Sequence, residues 1–143
     1  MSAKAILYPM FPLVALTAIV AVTMYRSRVD QMRTRRIHPQ KVALSAQMAS
    51  ALEDTRAADN FRNLFETPVL FYAALLTVYA TQLTSPLYVA LAWAYVATRI
   101  AHSAIQCTYN RVVHRLIAFA SGLFVLWTLF AVIAYDLVVM GRG

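Results

Sequence analysis

Cysteine, glycine and acid are scarce in this chain of 143 residues, which holds one Cys, three Gly and six Asp or Glu. A single thiol, Cys107, excludes an internal disulfide and any zinc site built from several thiolates. At the inner end of an apolar run it reads as a small buried hydrophobe. The chain has no glycine-rich phosphate loop, no internal repeat and no low-complexity tract. Charge of either sign is thin as well, at 13% of residues.

Apolar residues fill the space these absences leave. They make up 61% of the chain, and the mean hydropathy is +0.60, a composition that suits an integral membrane protein better than any soluble class. Four runs, 6–25, 64–83, 87–107 and 116–140, each approach the roughly 20 residues that cross about 30 Å of hydrocarbon. They predict an all-α four-transmembrane-helix bundle forming one membrane domain over residues 1–143. The first run is too long for a signal peptide, follows only Lys4 and lacks a small-residue cleavage site.

Orientation follows from the basic residues. Of 13 Lys and Arg, eight lie within 26–62 and two more, Arg111 and Arg115, sit between the third and fourth runs; the turn Thr84-Ser85-Pro86 carries none. The positive-inside rule then puts both basic loops in the cytoplasm and both termini outside. The net charge of +7 is mainly this topology signal, with attraction to anionic membrane lipids as a second effect. No nucleic-acid partner is expected, because the basic residues flank the spans and form no recognisable binding module. In the loop 26–63, His38-Pro39 breaks the chain, and 42–62 reads as helix formers leading into the second span. This is a cytoplasmic helical extension, short for a domain of its own.

Polarity inside the spans is one-sided. Arg99, His102 and Gln106 recur at i, i+3 and i+7 on one face of the third run, and charge in lipid is costly enough to mark a site. Counted inward from Asn60 and Asn110 at 1.5 Å per residue, Gln106 lies about 6 Å deep, Arg115 about 7 Å, Glu66 about 9 Å, His102 about 12 Å and Arg99 about 16 Å. The outer half has nothing comparable until Asp136. Glu66 shares a helical face with Arg62 and Asn63. As the one acid against Arg62, Arg99, Arg111 and Arg115, it leaves the band positive and able to accept an anion. Structural readings compete at each position: Arg99 with Glu66 as an ion pair joining two helices, His102 as a packing histidine, Arg111 and Arg115 as interface anchors.

The residues Arg62-Asn63-Leu64-Phe65-Glu66-Thr67-Pro68, followed by Arg99-Ile100-Ala101-His102 and by Arg115, resemble the MAPEG family, membrane-associated proteins of eicosanoid and glutathione metabolism. The likeness runs from about Asp59 to Phe130 and is of a prokaryotic type, which implies a bacterial inner membrane. It implies a four-helix protomer assembled as a homotrimer, with glutathione as co-substrate, and no metal, bound between subunits near the cytoplasmic side. Carried over residue by residue, Arg62, Asn63, Glu66 and His102 contact glutathione, with Gln106 beside them. Arg115 is the catalytic residue that stabilises the thiolate, and Arg26 or Arg28 supplies the arginine that ends the first helix. Arg99 remains the structural partner of Glu66.

The departures shape the expected chemistry. Asp59 stands where many relatives have an arginine, Gln106 where a tyrosine is expected, and Leu116 and Phe119 replace a serine and a later tyrosine of the prostaglandin synthase type, so that isomerase reaction is poorly supported. What remains is a membrane-bound transferase or peroxidase acting on lipophilic electrophiles or lipid hydroperoxides. The alternatives are a non-catalytic lipid- or fatty-acid-binding membrane protein and an accessory subunit of a larger membrane complex.

Overall fold

A computed structural model describes residues 3–83 and 85–140, and its regular elements are all helical. A 3-10 turn, Ala3–Leu7, leads through Pro9 into α1, Met10–Thr34. The first span was expected to end at Tyr25, yet the helix continues through Arg26, Arg28 and Arg33. At 1.5 Å per residue its 25 residues measure about 37 Å, longer than about 30 Å of hydrocarbon, so the basic end stands clear of the apolar slab. It closes where Arg36 turns left-handed (φ 54°) and Ile37 N–H reaches back 2.9 Å to the Met32 carbonyl.

The helix expected over 42–62 is interrupted. A 3-10 turn, Pro39–Val42, is followed by α2, Ser45–Ala51, and α3, Arg56–Asn63. Between α2 and α3 the Gln31 side chain of α1 takes both the N–H and the C=O of Asp54 in bonds of 3.0 Å, which fastens the chain to α1 instead of letting it coil on. Arg56 is held by the Asp54 carboxylate at 2.8–2.9 Å and donates onward to the Thr108 carbonyl. Arg35 pairs with Glu53. The loop is therefore laid against the inner end of the bundle.

The second apolar run is also broken. Residues 64–66 form turns, and α4, Thr67–Ala80, starts afresh with Pro68 in its first turn. Proline lacks an N–H and disfavours helix in the residue before it, so a helix begins at this position more readily than it passes through. α5, Pro86–Cys107, is opened by Ser85, whose hydroxyl accepts from Leu87 N–H at 3.3 Å; Thr84 of the expected turn lies outside the described residues. α6 spans Val112–Met140.

Among the described residues three stretches, Lys4–Thr34, Arg56–Ala80 and Val112–Val139, are long and apolar enough to cross a membrane. α5 has the length, about 33 Å for 22 residues, but polar side chains dilute it. It is instead the buried centre, where Ala92, Tyr95 and Val96 meet Phe71 and Leu75 of α4, Leu126, Leu129 and Ile133 of α6, and Leu13 of α1. Phe71 stacks on Tyr95 at 4.5 Å, and the Tyr95 hydroxyl donates to Thr67 Oγ1 at 3.0 Å. Gly122 lets α6 approach α5, since a Cβ there would stand 2.9 Å from Thr98 Oγ1. Phe11, Phe124 and Trp127 point outward, as suits a surface in contact with lipid or another chain.

Candidate functional site

Five polar side chains are buried in the bundle among the described residues: Asn60, Arg99, His102, Ser103 and Gln106, none more than 2% exposed. They cluster where α3 meets the inner part of α5. Asn60 accepts from Ser103 Oγ at 3.2 Å and donates to Cys107 Sγ at 3.3 Å, pinning α3 to α5. One helical turn on, the Gln106 amide bridges the Asn63 amide at 3.1 Å and His102 Nε2 at 2.9 Å. His102 Nδ1 lies 3.2 Å from the Arg115 carbonyl, so the ring, set between two acceptor oxygens, ties α5 to the start of α6.

An open groove of about 420 Å³ runs along this network, lined by Asp59, Asn63, Glu66, His102, Gln106, Val112, Arg115, Leu116 and Phe119. Its floor is polar and its α6 wall apolar. Arg115 is half-buried, with Nη1 donating to Asn110 Oδ1 at 2.9 Å; Asn110 itself is left-handed (φ 47°), a conformation asparagine tolerates. The turn between α5 and α6 thus aims the guanidinium at the groove. Leu116, one residue on, is 62% exposed. A volume in the range of roughly 300–1,000 Å³, with few polar groups against an apolar wall, fits a small-molecule site.

Of the residues expected from sequence, the fold brings Asn63, Glu66, His102, Gln106 and Arg115 together on this groove. Arg28 and Arg62 lie elsewhere, around a separate cavity of about 70 Å³ between α1 and the loop, facing Asp54 and Asp59. Asp59 borders both spaces. Arg26 is on the opposite side of α1, exposed beside Arg33 in an open depression.

The expected Arg99–Glu66 ion pair is not formed. The ion pairs among the described residues are Arg35–Glu53 and Arg56–Asp54. The break at 64–66 explains the change: it leaves Glu66 exposed on the groove, and the Asn63 carbonyl at the end of α3 accepts from Arg99 Nη2 at 3.3 Å as well as from Glu66 N–H at 3.4 Å. Glu66 stays within electrostatic reach. The guanidinium also lies 5.6 Å from the centre of the Phe119 ring.

Asn60 and Ser103 were missed from sequence. Asn60 shares a helical face with Asn63 three residues on, and Ser103 adjoins His102, so the spacing held the signal.

The model of the MAPEG family matches residues 6–135 of the chain. No curated protein and no solved structure matches it.

Proposed function

Because the chain belongs to the MAPEG family and is an integral membrane protein, we propose that it is a glutathione-dependent transferase or peroxidase acting on lipophilic electrophiles or lipid hydroperoxides. The observation that carries this reading is the groove itself, where Arg115 stands between a polar floor of Asn63, Glu66, His102 and Gln106 and an apolar wall of Val112, Leu116 and Phe119. The floor suits a peptide and the wall suits a lipid-borne partner.

In this reading Asn63, whose amide is held by Gln106 and Gln106 in turn by His102, and Glu66 orient glutathione. A free thiol has a pKa of about 8.5, and the fixed positive charge of Arg115 lowers it so that the thiolate prevails at neutral pH. That thiolate attacks an electrophilic carbon to form a C–S bond, with the leaving group or a new carbanion taking the electron pair and then a proton. With a hydroperoxide, it attacks the terminal oxygen and breaks the O–O bond; the alkoxide takes a proton, and a second glutathione converts the sulfenic acid to disulfide and water.

We place α5 as a fourth span within a homotrimer, with both termini outside and the basic loops cytoplasmic. The exposed apolar faces of α1 and α6 support a trimer. Arg26, exposed on the outer side of α1, is then placed to reach a neighbour's groove, whereas Arg28 is turned inward. The direct test is equilibrium binding of glutathione to purified protein in detergent, with the ultraviolet absorbance of the bound thiolate and native mass spectrometry of the assembly. Saturable binding with thiolate absorbance supports the enzyme. Binding of a fatty-acid carboxylate without glutathione binding replaces it with the lipid-binding reading, which the exposed Leu116 beside Arg115 would also serve.

A further inference from the structure

We infer that Arg99 is a positioning residue: by holding the carbonyl that ends α3, it sets the direction in which Asn63 and Glu66 enter the groove. Its ligand rests on the glutathione reading above. Arg99 is 1% exposed, among the largest fully buried side chains of the protein, and is not among the residues lining the groove. Its hydrogen bond to the site is with Asn63, whose carbonyl it bonds and whose side chain joins Gln106 in the groove.

The energetics argue against a role in holding the bundle together. A guanidinium has five N–H donors. In the described residues Arg99 makes one hydrogen bond, at 3.3 Å, and its Nε is buried with no partner. A buried cation so poorly paired costs stability, and an apolar side chain of similar volume in its place is commonly neutral or stabilising. What the arginine supplies is reach and direction. α3 stops at Asn63 because Pro68 starts a new helix; Leu64 and Phe65 are held by turn bonds back to α3, and the Asn63 carbonyl, lacking its i+4 helical partner, is shared between a long bond of 3.4 Å from Glu66 N–H and Arg99. Glu66, at φ −94° and ψ −95°, thus hangs by its own N–H from the carbonyl that Arg99 holds. The other end of Arg99 is braced by α6: a Cβ on Gly122 would sit 3.8 Å from Arg99 Cδ, and Phe119 flanks the guanidinium. Since Phe119 also lines the groove, α6 and the α3–α4 break are set against each other through this one side chain.

The test compares Arg99→Met and Arg99→Lys for glutathione affinity, thermal midpoint and backbone amide exchange over 64–71. Arg99→Met is expected to weaken glutathione binding about tenfold, the loss of one charge-assisted hydrogen bond. The midpoint stays or rises, thiolate absorbance at saturation is kept, and Arg99→Lys recovers most of the affinity. Unchanged affinity in Arg99→Met, or affinity and midpoint falling together without recovery by Arg99→Lys, overturns the inference. Should wild-type protein bind no glutathione, the proposed function fails separately, and exchange decides the positioning role: faster exchange confined to 64–71 upholds it, and unchanged or uniformly faster exchange overturns it. If Arg99→Met does not fold, Arg99→Gln, a neutral donor, is judged by the same criteria. Failure of both to fold overturns the inference, because the residue then serves the fold.

Discussion

The two halves of the bundle are built on opposite principles. In the outer half, Leu75 and Val78 of α4, Ala92 of α5 and Leu129 and Ile133 of α6 are packed without exposure above 3%, and Tyr88 of α5 donates to Asp136 of α6. In the inner half Asn60, Arg99, His102, Ser103 and Gln106 are buried as deeply: Asn60 pairs with Ser103, His102 with Gln106 and the Arg115 carbonyl at the start of α6, and Arg99 with the Asn63 carbonyl. Lipid tails are as apolar as leucine, so the outer half is held by close packing rather than by escape from water. The inner half carries costly polar groups that packing does not require. Such groups in a membrane mark function; the outer half then serves cohesion and, on the proposed function, the inner half serves binding.

The largest effect should come from the outer half and leave the site untouched. Leu129→Ala opens a cavity at a position with no exposure. Because transfer to lipid costs leucine little, the loss should fall near the low end for buried Leu→Ala, about 2 kcal/mol. Thermal denaturation in detergent should show it, with glutathione affinity unchanged in the folded protein. A fall in affinity as large as the fall in stability would end the division of labour between the halves.

Arg115→Leu tests the reverse. Its backbone carbonyl still accepts from His102, so the start of α6 stays tied, while the charge facing the groove is lost. The bound thiol should move back toward about 8.5, and neutral-pH turnover with a generic electrophile should drop about tenfold for each unit of that shift. Glutathione binding should weaken less, since the charge acts on one protonation state. Unchanged thiolate absorbance and turnover would favour the lipid-binding reading.

A smaller effect is expected at the groove mouth. Asp59 places a carboxylate there, steadied by the Thr55 hydroxyl at 2.9 Å. Asp59→Asn removes a repulsion from anionic glutathione across an exposed, screened distance, so affinity should rise about threefold at low salt and by less at high salt. A loss of affinity would instead make Asp59 a ligand.

The halves also differed in how legible they were. α5 lies within one residue of its expected bounds, because a long apolar run with Pro86 at its start admits one reading. His102 and Gln106 were legible because helical spacing puts them on one face of α5, whereas Asn63, Glu66 and Arg115 were reached through the family resemblance, the shared helical face expected for Asn63 and Glu66 being lost to the turn at 64–66. The break at 64–66 was not read, although Pro68 announces it, because hydropathy runs through it without change. The same break undid the Arg99–Glu66 pair, which depended on an unbroken helix. Arg28 and Arg62 were misplaced for another reason: the side of α1 that meets α3 is decided by Gln31 gripping the Asp54 backbone, a contact between residues 23 apart. No local pattern carries that.

The smallest effect concerns how the loop is held to the inner half. Hydrogen bonding to Arg56 pulls the Asp54 carboxyl below its ordinary value of 3.8. A carboxyl lowered by folding contributes stability that is fully present above its unfolded value and is lost as pH falls through the folded one. Amide protection at the start of α3 should therefore be flat from about pH 8 to about pH 5 and weaken only below about pH 4. Arg56 links this carboxylate to the Thr108 carbonyl, so the last turn of α5 should loosen along with it. The pair is partly exposed, with side chains 39–43% accessible, which keeps the change local and small. Asp54→Asn should abolish the pH step and leave the Leu129 end of the bundle as protected as before. A step that persisted in Asp54→Asn would move its origin to another carboxylate, the Glu53 paired with Arg35 being the nearest in sequence.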